Sequence, residues 1–192
     1  MSIGKQISGQ LERLASGESV LASLPSSDMP YKRLVALEEP IQAALDFFDN
    51  DRYSVALREL AVGINVDVPA DARAYLSAAA AAVARGLNFL EEPLAVWELD
   101  GREGMAQLRS SPPLREPSTH STGSGQASSG QGGEEVSYWE VTLTSEQPSA
   151  RAARYRWAPG MAEREIVAYP ATFALLGRMA DVLAGALRDT AD

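Results

Sequence analysis

Large apolar residues recur every three or four positions through the first half of the chain and every second position through much of the second half. A period near 3.6 marks a helix with one buried stripe, whereas a period of 2 marks a strand with one buried face. Ile3, Ile7, Leu11 and Leu14 form a first helical stripe, which Gly17 and the segment from Pro25 to Pro30 bring to an end. Leu34, Leu37, Ile41, Leu45 and Phe48 read as one face of a second helix, kinked or restarted at Pro40. After the polar break Asp49 to Asp51, a third helix capped by Asp51 is expected to carry Val55, Leu57, Leu60, Ala61 and Ile64. Pro69 suits the first turn of a fourth, with Tyr75, Leu76, Ala79, Val83, Leu87 and Leu90 on its inner side.

Beyond Pro93 the pattern changes to alternation. Ala95, Trp97 and Leu99 alternate with Val96, Glu98 and Asp100 up to the turn-rich stretch Asp100 to Gly104, and Ala106 and Leu108 then alternate with Gln107 and Arg109. Pairing Asp100 with Met105 sets Leu99 opposite Ala106 and Trp97 opposite Leu108. In a second hairpin, a turn centred on Pro148 would pair Trp139 with Trp157, Val141 with Tyr155 and Leu143 with Ala153. The opposite face would then hold Glu140 against Arg156 and Thr142 against Arg154. Glu165 to Tyr169 is expected to add a strand. Pro170 should open a last helix whose Phe173, Leu176, Met179, Ala180, Leu183 and Leu187 cover the sheet.

These elements predict an α+β fold: a helical region over 1–92 arranged as an N-terminal bundle of four helices, then over 93–192 an antiparallel sheet of four to five strands packed by a C-terminal helix. Pro112 to Glu135 is nearly devoid of large apolar residues and rich in Ser, Gly, Thr and Gln, so a flexible loop is expected within the sheet region.

Composition removes several chemistries. The chain has 192 residues and no cysteine, and its single histidine, His120, lies in the Ser/Gly-rich stretch. Thiolate metal sites, cysteine nucleophiles and a packed Ser/His/Asp triad have no residues to build them. The net charge of -9, from 26 acids and 17 bases, disfavours nucleic acid and anionic membranes as partners. No apolar run reaches the length of a membrane span, and Met1 to Gln10 has no basic segment leading into an apolar one, so a cytoplasmic location is expected.

Asp51 to Tyr53, followed by Ala56, Leu57, Leu60, Gly63, Ile64, Asp67, Pro69, Ala72, Ala74 and Tyr75, resembles one helix pair of a tetratricopeptide repeat, with Val68 inserted into the D-P turn of that motif. The resemblance implies a tetratricopeptide-like helix pair between Asp51 and Tyr75. A single copy cannot form the stacked array through which such repeats bind peptides.

Other candidates fall to simple tests. A calcium loop begun at Asp49 would need glycine at its sixth position and an acid at its twelfth, where Ser54 and Leu60 stand. Glu98 and Glu140 share a sheet face in the predicted pairing, but with Gln107 and Arg156 as neighbours they read as a solvated charged surface. No catalytic residue, metal site or cofactor is expected.

What remains is a non-enzymatic protein-interaction protein, acting as an adaptor, a chaperone-like factor or a regulator, with another protein as partner; a homo-oligomer is compatible with this. In the predicted register Tyr138, Arg154 and Arg156 form the partner-binding surface on the outer face. The alternative is a small apolar-ligand binder, in which Trp97, Trp139, Tyr155 and Trp157 line a pocket beneath the last helix.

Overall fold

The computed structural model describes residues 1–67, 70–111, 113–116 and 135–190. Its elements run α1 (Ile3–Ala15), β1 (Lys32–Glu38), β2 (Ile41–Asn50), β3 (Ser54–Ile64), α2 (Ala72–Gly86), β4 (Leu94–Asp100), β5 (Met105–Ser110), β6 (Leu114–Glu116), β7 (Glu135–Thr144), β8 (Ser149–Trp157), β9 (Glu165–Ile166), β10 (Tyr169–Thr172) and α3 (Phe173–Arg188). All ten strands join one antiparallel sheet. Its main path is β1-β2-β3-β8-β7-β5-β4, while the short β10, β6 and β9 pair with β3, β7 and β8.

Two meanders therefore make the sheet, one from each half of the chain, fused where β3 pairs with β8. The three helices cover one face: α1 lies over β1 and β2, α3 over the centre, and α2 over β4 and β5. A single core fills the space between, from Ile3, Ile7 and Leu11 through Leu45, Leu60, Val141 and Leu143 to Leu176, Met179 and Leu183.

The predicted helical bundle over 1–92 is replaced by one N-terminal helix, three strands and α2. The stretch from Lys32 to Ile64 carries two periods at once. Its inward set is Leu34 and Ala36 on β1, and Ile41, Ala43, Leu45 and Phe47 on β2, whereas Leu37 and Phe48 of the supposed helical stripe are left exposed. Ala36 sits directly across from Ala43. Small residues there let α1 lie close on the strands, and the alanines complete an alternation that large residues alone do not show.

Asp51 closes the β2–β3 turn rather than capping a helix; its carboxylate accepts the backbone N–H groups of Tyr53 and Ser54 at 2.6 and 2.7 Å and the Ser54 hydroxyl at 2.7 Å. The tetratricopeptide-like pair is thus overturned, because its first helix is strand β3, and the described residues contain only three helices. The sheet also exceeds four to five strands and crosses the expected boundary at 92/93. The expected flexible loop Pro112 to Glu135 lies mostly outside the described residues, His120 included. Two pieces of it are sheet, since β6 pairs with β7 and Glu135 begins β7.

The first hairpin keeps its expected pairs Asp100 with Met105 and Leu99 with Ala106, but a bulge between Val96 and Glu98 puts Val96, not Trp97, across from Leu108. In the second hairpin the turn is Ser145–Pro148, closed by a 2.7 Å bond between the hydroxyls of Thr144 and Ser149. Leu143 pairs with Ala150 instead of Ala153, a slip of three residues. An odd slip turns every side chain of β8 to the opposite face. Ala150 and Ala152 face the core, where α3 needs close approach, and Tyr155 and Trp157 face away from it.

Candidate functional site

The face of the sheet that no helix covers among the described residues carries a layered arrangement of carboxylates, arginines and aromatic rings. Strand alternation sends Asp46 from β2, Glu59 from β3 and Glu140 from β7 to this side, and all three are buried. A buried carboxylate needs a cation and hydrogen bonds. Arg33 meets Asp46 with two bonds of 2.7 Å in a fork geometry, with Arg58 a further 3.9 Å ion partner. Arg151 donates to Glu59 at 2.6 and 3.2 Å. Glu140 accepts from Arg109 at 3.0 Å and from Arg164, which reaches it from the segment before β9.

Aromatic rings hold the same guanidinium groups from another side. Arg58 lies 4.5 Å from the centre of the Tyr31 ring, Arg164 4.3 Å from Tyr155, and Arg109 4.8 Å from Trp97 and 5.3 Å from Tyr138. Tyr138 and Tyr155, directly paired across β7 and β8, stack with ring centres 6.2 Å apart. Partial burial, then the nearby Glu140 charge, pushes the Tyr155 phenol above its ordinary value, although Arg164 acts against this. The hydrogen bond from Arg151 to Glu59 raises the Arg151 guanidinium still further, so it is a permanent cation. The result is a floor of buried negative charge under an outer layer of fixed guanidiniums and rings. Arg151 leaves 61% of its side chain exposed.

The predicted site residues separate onto two faces. Tyr138 lies on the uncovered face and is packed there under Arg109. Arg154 and Arg156 point to the helix side, which corrects the outer-face placement. Arg154 is buried, donating to Glu92 at 2.8 Å and to the Ser137 hydroxyl at 3.0 Å, with Trp139 and Tyr169 flanking it. Arg156 pairs with Glu165 at 2.9 Å and Glu135 at 3.5 Å.

The aromatic set divides the same way. Trp139 is a core residue, edge-on to Tyr169 at 4.8 Å, while Trp97, Tyr155 and Trp157 face outward on the uncovered side. They do not line a pocket beneath α3, whose Leu176, Met179, Ala180, Leu183 and Leu187 are fully packed against the sheet. On the uncovered face the hollow bounded by Glu59, Glu140, Thr142, Arg151, Ala153 and Tyr155 is about 90 Å³. That is well below the roughly 300 Å³ at which ligand pockets begin.

Sequence reasoning missed Arg33, Arg58, Arg109, Arg151 and Arg164 as members of one surface. The signal available was that Arg109, Arg151 and Glu140 stand at positions alternating with the core residues of their strands; the strand order that assembles them is not a local property. Among the described residues no group of three acids or histidines is placed to hold a metal ion, and no helix is long and apolar enough to cross a membrane. Comparison of the chain with family models, with curated proteins and with solved structures finds no match. The tetratricopeptide resemblance thus has neither a family model nor a helix pair behind it.

Proposed function

We propose that this chain is a non-enzymatic protein-binding protein of the adaptor or chaperone-like kind, and that its uncovered sheet face receives an acidic surface or segment of another protein. One observation carries the reading: the arginines of that face are held over buried carboxylates, Arg33, Arg58, Arg109 and Arg164 also against aromatic rings, while Arg151 leaves most of its side chain exposed. Arginine, tyrosine and tryptophan dominate binding hot spots, and side chains already fixed in place lose little entropy when a partner arrives. The carboxylates serve as counter-ions for the arginines, so the face is a recognition surface and not a set of proton-transfer groups.

The class of partner follows from the same chemistry. A face of paired arginines within a chain of net charge -9 favours a compact acidic protein patch over a polyphosphate backbone, whose repeated charge would meet the acidic remainder of the molecule. A protein partner and a cytoplasmic location are part of this proposal.

The test is capture from native extract at low salt by the wild-type protein and by Arg151→Gln and Trp157→Ala, with retained proteins identified by mass spectrometry. Specific partners should be acidic, should be lost from both variants, and should elute with rising salt. Partners retained equally by the wild type and by both variants would refute the assignment of the face.

A further inference from the structure

Among the described residues the sheet ends at β4, whose one strand neighbour is β5. Half of the backbone N–H and C=O groups of an edge strand point away from the sheet. At the other end of the sheet β1 is partly occupied: the N–H groups of Ala22 and Ser23 donate to the Arg33 carbonyl at 2.8 and 3.2 Å, and Ser23 returns a carbonyl to the Arg33 N–H at 3.1 Å. No equivalent backbone bridge covers the outer side of β4 among the described residues.

The side chains of β4 are unusual for an edge in contact with water alone. Val96 is 51% exposed on the helix side, Trp97 is 67% exposed on the other side, and Ala95 and Glu98 are exposed beside them. Apolar groups thus flank the free backbone above and below. An added strand would cover them both, because its own side chains alternate between the two faces. No proline or lysine stands in this strand; the edge-protecting features it carries are the single bulge before Glu98 and the Glu98 carboxylate itself. The bulge lies at Trp97, whose ring is 4.8 Å from Arg109, and the pairing with β5 is regular on either side of it.

Charge decides which strand fits. From Glu91 to Glu103, leaving out the buried Glu92 that Arg154 neutralises, the chain carries four carboxylates, Glu91, Glu98, Asp100 and Glu103, against one base, Arg102; Arg73 of α2 lies beside Gly101, and Arg109 is already paired with Glu140. A second copy would bring the same acids to the seam and is repelled. We infer that the β4 edge accepts, by strand addition, an extended segment of a partner protein in which apolar residues alternate with lysine or arginine. This site adjoins the uncovered face, with Trp97 against Arg109 at their border, and its free backbone edge and acidic side chains give it the opposite charge preference.

The test uses the full chain and four synthetic ten-residue probes: alternating Val-Lys, alternating Val-Glu, and each again N-methylated along one edge. Amide hydrogen exchange and a binding titration are read together. The Val-Lys probe should bind, slow exchange within Leu94–Asp100, and lose binding when N-methylated. Glu98→Lys should shift preference toward Val-Glu by about fivefold, the scale of one exposed ion pair. Arg151→Gln should leave Val-Lys binding unchanged, which separates this result from failure of the uncovered-face reading. Absence of Val-Lys binding, equal binding of its N-methylated form, protection confined to β7 and β8, or a β4-paired dimer without peptide would each overturn the inference.

Discussion

Arg154 shows how much one face assignment is worth. On an exposed surface its removal would shift stability by about half a kcal/mol, but here it is the buried partner of Glu92. Arg154→Ala leaves a carboxylate uncompensated, and urea denaturation should show a loss of about 3 to 5 kcal/mol; Arg154→Met combined with Glu92→Leu should recover most of it. The tryptophans divide on the same ground. Trp139→Ala should cost about 3 to 5 kcal/mol, whereas Trp157→Ala, at a ring that is 40% exposed, should cost about 1 kcal/mol or less. Asp51 gives a pH signature. The amide of Tyr53, then the hydroxyl and amide of Ser54, hold its carboxyl below the usual range, so its contribution is present above the unfolded-state value near 4 and is lost as pH falls through the lower folded value. An NMR titration should show the Tyr53 and Ser54 amides moving together only at pH values below about 4.

At the scale of elements, the α1–α3 crossing is set by glycine. The Gly4 N–H donates to Asp181 at 2.8 Å, and the Ser2 hydroxyl bonds the same carboxylate at 2.9 Å. A Cβ on Gly4 would collide with the Gly177 carbonyl and the Asp181 side chain, while one on Gly9 would meet open space. Gly4→Ala should therefore destabilise the protein by about 1 to 3 kcal/mol. Gly9→Ala, in the same helix, should stabilise it by up to about 1 kcal/mol, since alanine is the better helix former. Thermal melts of the two variants check the contrast. The helix itself was legible from Ile3, Ile7 and Leu11; its docking partner was not, because the close approach depends on Gly177, far away in sequence.

For the whole molecule, the fusion of the two meanders at β3 and β8 makes the halves interdependent. Leu60 pairs with Ala152 and Val62 with Ala150, and α3 rests on strands from both halves. Unfolding should therefore be one cooperative transition, with tryptophan fluorescence, dominated by the buried Trp139, and far-ultraviolet circular dichroism giving coincident midpoints. Two separated transitions would mean that the segments before and after residue 92 fold as independent units.

Sequence alone determined what depends on chain neighbours. The buried stripes of α1, α2 and α3 repeat at a spacing that only a helix places on one side, and Asp100 to Gly104 marks a turn whatever lies around it. Tertiary structure decided what depends on contacts across space. From Lys32 to Ile64 the helical and strand periods compete, and Ala36 and Ala43 become core positions only when α1 lies over them. The register of β7 and β8 was undetermined because both pairings set Val141 and Leu143 across from apolar residues, and the one adopted places Arg154 across from Trp139. The one adopted sends Ala150 and Ala152 beneath α3 and gives Arg154 a buried carboxylate. That choice moved Tyr155 to the uncovered face, where side chains from strands far apart in sequence meet as one surface.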